Sequence, residues 1–136
     1  PSFIARGSGR ILNVSSIASL VPGPWQATYF AAKAYVTSLT LALSEELRGT
    51  GVTATVVLPG GMRTGFEAAA KLEGTGLAAQ LTQCPDDVAR RSYEAMLRGQ
   101  RKLIAGTPLL QRLLLRLVPF APTAFVLRVV ARLHKR

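Results

Sequence analysis

Cysteine is nearly absent from this sequence. Cys84 stands alone, which excludes an internal disulfide framework and a multi-cysteine metal site. With a single histidine, His134, in the basic tail, no metal centre is expected. There is no uncharged apolar run of about 18 residues, the length a conventional spanning helix needs. No charged-then-apolar-then-small leader opens the chain, so nothing suggests secretion and a cytoplasmic setting is expected. Acidic residues are scarce too, 7 Asp+Glu against 17 Lys+Arg. What is present is apolar: of 136 residues, 49% are hydrophobic and 18% charged. Such a chain is long enough for one domain, and it can bury a core.

The formal net charge of +10 raises the question of nucleic acid. Its distribution answers it. Residues 1–100 hold nine Lys/Arg against seven Asp/Glu, whereas residues 101–136 hold eight and no acid. The basicity belongs to one tail, set among leucines and not among exposed aromatics, with no nucleic-acid module. A basic apolar tail suits an acidic membrane surface or an apolar partner better than a phosphate backbone.

Residues 10–14 (RILNV), bounded by Gly9 and Ser15-Ser16, read as a strand. Pro1 to Gly9 read as the frayed end of something earlier, with Pro1 to Gly7 the loop after a helix, and Val21-Pro22-Gly23-Pro24 as a loop. Residues 26–48 predict the longest helix: no Pro or Gly interrupts them. Ala32, Val36, Leu39 and Leu43 recur there at helical spacing, as do Tyr35, Leu39 and Ala42. Residues 52–58 (VTATVVL) are almost all β-formers and end at Pro59-Gly60-Gly61, the pattern of a strand buried on both faces of a parallel sheet. Strand, helix and strand in that order make a βαβ crossover. Pro85-Asp86-Asp87 opens a further helix to residue 98, and residues 102–105 (KLIA) read as a short third strand. Two leucine-rich helices, 109–117 and 123–134, follow, separated by Pro119 and Pro122.

Tyr29 and Lys33 lie four apart on the long helix, hence on one face and one turn apart. A phenol alone ionises near pH ~10 and is a poor acid-base catalyst at neutral pH. A fixed ammonium nearby favours the phenolate and makes the group a usable proton donor and acceptor. Ser15 and Ser16 end the strand before this helix, where α/β sheets place their ligands, and a serine hydroxyl can hold a carbonyl oxygen against the tyrosine. The bare Tyr-x-x-x-Lys pair is equally explained by a half-buried tyrosine beside a solvated lysine. Its surroundings add what the pair lacks.

From Gly9 to Thr64 the sequence GRILNVSSIASLVPGPWQATYFAAKAYVTSLTLALSEELRGTGVTATVVLPGGMRT resembles the C-terminal half of the short-chain dehydrogenase/reductase family. The resemblance rests on a strand ending in serines, the Tyr-x-x-x-Lys helix, and a second strand ending in Pro-Gly with a threonine soon after. It implies an α/β fold: the C-terminal half of a doubly wound, Rossmann-like parallel sheet, followed by a helical C-terminal tail. Ser16, thirteen residues before Tyr29, matches the catalytic serine, with Ser15 its structural neighbour. Tyr29 matches the general acid/base. Lys33 matches the lysine that lowers the tyrosine pKa and bonds the nicotinamide ribose. Pro59, Gly60, Gly61, Met62 and Thr64 match the segment that lies along the nicotinamide. Met62 would offer its backbone amide there and Thr64 its hydroxyl. The implied reaction is hydride transfer between NAD or NADP and a carbonyl or alcohol substrate, by a protein that acts as a homo-oligomer.

The family's glycine-rich dinucleotide fingerprint is not in this sequence. Gly74-x-Gly76-x-x-Ala79 fits the pattern literally, but no strand precedes it and it follows the catalytic helix. The family's catalytic asparagine is also missing, since Asn13 lies on the strand. The chain therefore reads as a fragment of the oxidoreductase, expected neither to bind dinucleotide tightly nor to turn over substrate alone. Residues 1–106 read as the C-terminal part of the Rossmann-type domain: the catalytic strand-helix-strand 9–64, a substrate-cap segment 65–84 and the helix 85–98. Residues 107–136 read as a basic, leucine-rich amphipathic tail. Its apolar faces either pack on protein or make peripheral membrane contact, the latter consistent with a lipidic substrate. The alternative function is a non-catalytic binding or membrane-surface module using the Rossmann half and the basic tail. It leaves the intact Ser-Tyr-Lys set unexplained.

Overall fold

The computed structural model describes residues 2–62 and 83–134. Its elements in chain order are α1 (Ser2–Ala5), β1 (Gly9–Val14), a 3-10 turn (Ile17–Leu20), α2 (Ala27–Glu46) and β2 (Val52–Pro59), then α3 (Pro85–Leu97), β3 (Lys102–Ala105), α4 (Leu109–Leu117), a 3-10 turn (Val118–Phe120) and α5 (Thr123–His134). The strands form one parallel sheet in the order β1-β2-β3. Gly9 pairs with Val52 and Val14 with Val57, while Val56 pairs with Lys102 and Pro59 with Ala105.

β2 is central and is the most buried element, with Val56 and Leu58 fully inaccessible. Side chains alternate between faces along a strand. Val57 packs with Val88 of α3 and with Leu12 and Leu103. On the opposite face Asn13 Nδ2 donates to Thr40 Oγ1 of α2 at 2.9 Å. The two helices thus cover opposite sides of the sheet, the three-layer arrangement of an open α/β fold. Among the described residues β1 pairs on one side only.

The α2 residues that meet the sheet differ from the apolar repeat in the sequence. Tyr35 and Leu39 are exposed, whereas Phe30, Thr37 and Thr40 are buried. The reason lies on β1, whose Asn13 and the following Ser15 offer polar partners to those threonines. The N-terminal residues, read as a loop, form one helical turn instead. The Arg6 and Ser8 amides close back on the Ser2 and Phe3 carbonyls, and the Arg6 guanidinium sits 5.0 Å from the Phe3 ring centroid. On α3, Arg90 bonds Asp87 and Glu94, which hold its pKa above its ordinary value.

Thr55 in β2 and Gly51 just before it make measurable predictions. The Thr55 hydroxyl oxygen is buried without a hydrogen-bond partner among the described residues. An unmet buried hydroxyl costs free energy that a methyl group of the same shape does not. Thr55→Val is expected to raise the urea midpoint, by about 1 kcal/mol of stability, and a lowered midpoint would show that the hydroxyl is satisfied. Gly51, just before β2, holds φ +77°, and a Cβ there would collide with the Gly7 carbonyl. Gly51→Ala is expected to lose more than about 1 kcal/mol in the same measurement.

Candidate active site

The site forms where β1 and β2 end. The Ser15 amide donates to the Val57 carbonyl at 2.8 Å, carrying the β1–β2 ladder one residue past the strand. The Ser15 hydroxyl, almost wholly buried, donates to the Lys33 carbonyl at 2.8 Å and lies 2.7 Å from Thr37 Oγ1. Its single proton goes to the carbonyl, so the Thr37 hydroxyl donates to it. This pair of bonds fixes the turn of α2 that bears Lys33.

Ser16 is turned differently. Its Oγ accepts the Ala18 amide at 3.1 Å, capping the 3-10 turn. An oxygen that accepts one amide still has its own proton to donate. Ser16 is partly exposed and lines a cavity of about 840 Å³. Tyr29 and Lys33 line the same cavity, as do Pro59, Gly60, Gly61 and Met62 from the end of β2. The structure therefore brings together every sequence-derived site residue except Thr64, which lies outside the described residues, as does the Gly74–Ala79 pattern.

Within the cavity the Lys33 ammonium donates to the Val14 carbonyl at 3.2 Å and stands 5.7 Å from the Tyr29 ring centroid. Tyr29 meets Phe30 edge-on, with centroids 5.9 Å apart. Phe30 in turn is buried against Val126 and Val130 of α5. Gly60 holds the strand ends close: its amide donates to the Ala105 carbonyl at 2.8 Å, and a Cβ there would come within 2.8 Å of the Gly106 oxygen. Met62 continues the chain by pairing with Gln83.

The far wall was not legible as part of the site. Gln111, Leu114, Leu115, Leu117 and Val118 supply one side, and Phe125, Val129 and Leu133 of α5 another. The signal available in the sequence was amphipathicity, which marks a face without naming what it meets. Trp25 lies near the site in sequence but outside this wall. It is 76% exposed, with φ +71°, a conformation uncommon for a bulky residue. No cluster of metal-ligating side chains occurs among the described residues.

Chemically the cavity offers a phenol, a serine proton, a cation and a glycine-rich stretch of bare backbone, facing an apolar wall. Known proteins resemble the chain in sequence and in fold. Residues 1–74 match the short chain dehydrogenase family. The ketoacyl reductase HetN of a Nostoc species is 33% identical over 129 residues, covering 91% of this chain and 44% of that protein. The structure of a short-chain dehydrogenase from Sphingobium yanoikuyae in complex with NADPH matches with TM-score 0.68 and 25% identity, over 83% of this chain and 43% of the other. A structure described in work on 7beta-hydroxysteroid dehydrogenase stereoselectivity shares the fold, with TM-score 0.75 and 24% identity, over 96% and 50%. The chain thus spans half or less of the length of these proteins. With more than half of its residues matched to the family and its fold shared, the chain belongs to the short-chain dehydrogenases.

Proposed function

We propose that the protein carrying this chain is a nicotinamide-dependent oxidoreductase that interconverts an apolar carbonyl compound and its alcohol. The observation that carries this reading is the convergence of Ser16, Tyr29 and Lys33 on one cavity at the strand ends. Residues 1–106 serve as the catalytic part of a Rossmann-type domain, and residues 107–136 as the tail that closes the cavity.

The residues present fit the nicotinamide end of NAD or NADP. Gly60 and Gly61 leave main chain open along one side, Lys33 brings a cation with protons for ribose hydroxyls, and the cavity volume is within the usual range for such sites. When bound, the reduced cofactor supplies a hydride to the substrate carbon. Ser16 donates its hydroxyl proton in a hydrogen bond to the substrate oxygen and holds the charge that builds there. Tyr29 gives its proton to that oxygen, so the carbonyl becomes an alcohol as the hydride arrives. Lys33 places positive charge beside the tyrosine. In the oxidative direction the same proton returns to Tyr29.

Substrate character follows from the wall. Leu114, Leu117, Val118, Phe125 and Val129 offer apolar surface and few polar groups, which suits a lipidic carbonyl. The ketoacyl reductase among the relatives is named for a substrate of that character. The exposed face of α2, with Ala31, Ala34, Tyr35 and Leu39, is small and apolar enough for close approach of a second copy. By itself the 136-residue chain is inactive in this reading, because the residues that grip the rest of the dinucleotide are not among those it offers.

The two adjacent serines separate chemistry from architecture. In the full-length protein, Tyr29→Phe is expected to lower kcat by roughly 100-fold or more with little change in melting temperature, and Ser16→Ala to lower kcat by a similar factor with the modest loss of stability that removing the cap on the Ala18 amide brings. Ser15→Ala is expected to lower the melting temperature first, since it strips partners from the Lys33 carbonyl and the Thr37 hydroxyl. Unchanged turnover in Tyr29→Phe would reject the proton donor and favour a binding module without catalysis.

A further inference from the structure

We propose that α4 and α5 form a docking surface for an anionic phospholipid bilayer. The inference deepens the function above by naming where an apolar substrate is met.

On α4, Leu109, Leu110, Leu113, Leu114 and Leu117 are between 54% and 82% exposed, and Phe120 just beyond is 86% exposed. At 100° per residue the five leucines fall within an arc of roughly 140° on the helix. Arg116, exposed, borders that arc. Arg128 and Arg132 lie one turn apart on α5 and are exposed as well. An apolar arc edged by an arginine, with two further exposed arginines on the next helix, fits a helix lying in a membrane interface, its leucines below the headgroups and the cations among them. Among the described residues no helix is long and apolar enough to cross a bilayer, so the helices would lie on it.

Charge selects the occupant. Residues 109–134, which span α4 and α5, carry four arginines and no acidic residue. A second copy docking here about a two-fold axis would bring the same arginines together without a carboxylate between them, an unfavourable arrangement. Anionic headgroups supply the missing charge. The same helix carries Gln111, Leu114, Leu115 and Leu117 into the cavity wall, so Leu114 and Leu117 stand where the exposed arc meets the cavity and one helix borders both lipid and active site. A substrate dissolved in the bilayer then has a short apolar route to Tyr29.

The test is flotation of the full-length protein with vesicles of phosphatidylcholine alone and of phosphatidylcholine mixed with phosphatidylserine. The protein is expected to float with the mixed vesicles and to be released by salt. Replacing two exposed arginines, Arg116→Gln with Arg128→Gln, is expected to weaken partition roughly 30-fold. Replacing two exposed leucines, Leu109→Gln with Leu113→Gln, is expected to weaken it roughly tenfold or more. Melting temperatures within a degree or two of the unmodified protein establish that both variants fold. Recovery at the bottom of the gradient with both vesicle types overturns the proposal, as does equal flotation with neutral and mixed vesicles. A solution dimer that the leucine variant converts to monomer overturns it too, in favour of a second copy. Flotation does not depend on turnover, so an inactive but floating protein would reject the catalytic reading and leave this one standing.

Discussion

A buried hydroxyl bonded on two sides sets the geometry of this molecule. Ser15 sits at the point where β1 stops, with its amide still in the ladder to Val57 and its side chain already on α2. In a low-dielectric interior such bonds are demanding, because each group left alone pays its full desolvation cost. The helix can therefore neither slide along the sheet nor rotate on it without breaking them. Asn13 repeats the device one strand position pair earlier, reaching Thr40 almost two turns further along α2. Tyr29 and Lys33 ride on a helix pinned twice.

That pinning explains why polar residues fill the α2–sheet contact, where an apolar stripe would also have been stable. Leucines confer burial without direction, whereas hydroxyl and amide pairs accept one register. The opposite face of the sheet shows the contrast: Val57, Val88 and Ala105 pack there without such ties, over a helix whose position matters less to the cavity. Phe30 extends the ordered region outward. It links the Tyr29 ring to Val126 and Val130, so the tail is held against the same helix turn that bears the phenol.

Apart from α1, which reads as a loop, the strands and helices and their parallel order were readable from the sequence because each depends on local pattern. β2 announced itself by a stretch of seven residues, five of them β-branched, before Pro59, and α3 by a proline followed by two aspartates. Spacing and resemblance together picked out Ser16, Tyr29 and Lys33, which the structure brings to one cavity. Two things were not readable. The sheet-facing side of α2 was misleading, since Tyr35 and Leu39 look like core and Thr37 and Thr40 do not; only partners distant in sequence reverse that order. The cavity's far wall was hidden as well, because the period of α4 and α5 marks an apolar face while its neighbour comes from contacts some ninety residues apart, such as Phe30 with Val126.

Lys33 allows a simple count of protons. An ammonium carries three, and the Val14 carbonyl takes one of them. Two are left to point elsewhere. The backbone oxygen at the tip of β1 thus occupies one ammonium proton and leaves the other two for a ligand or for solvent.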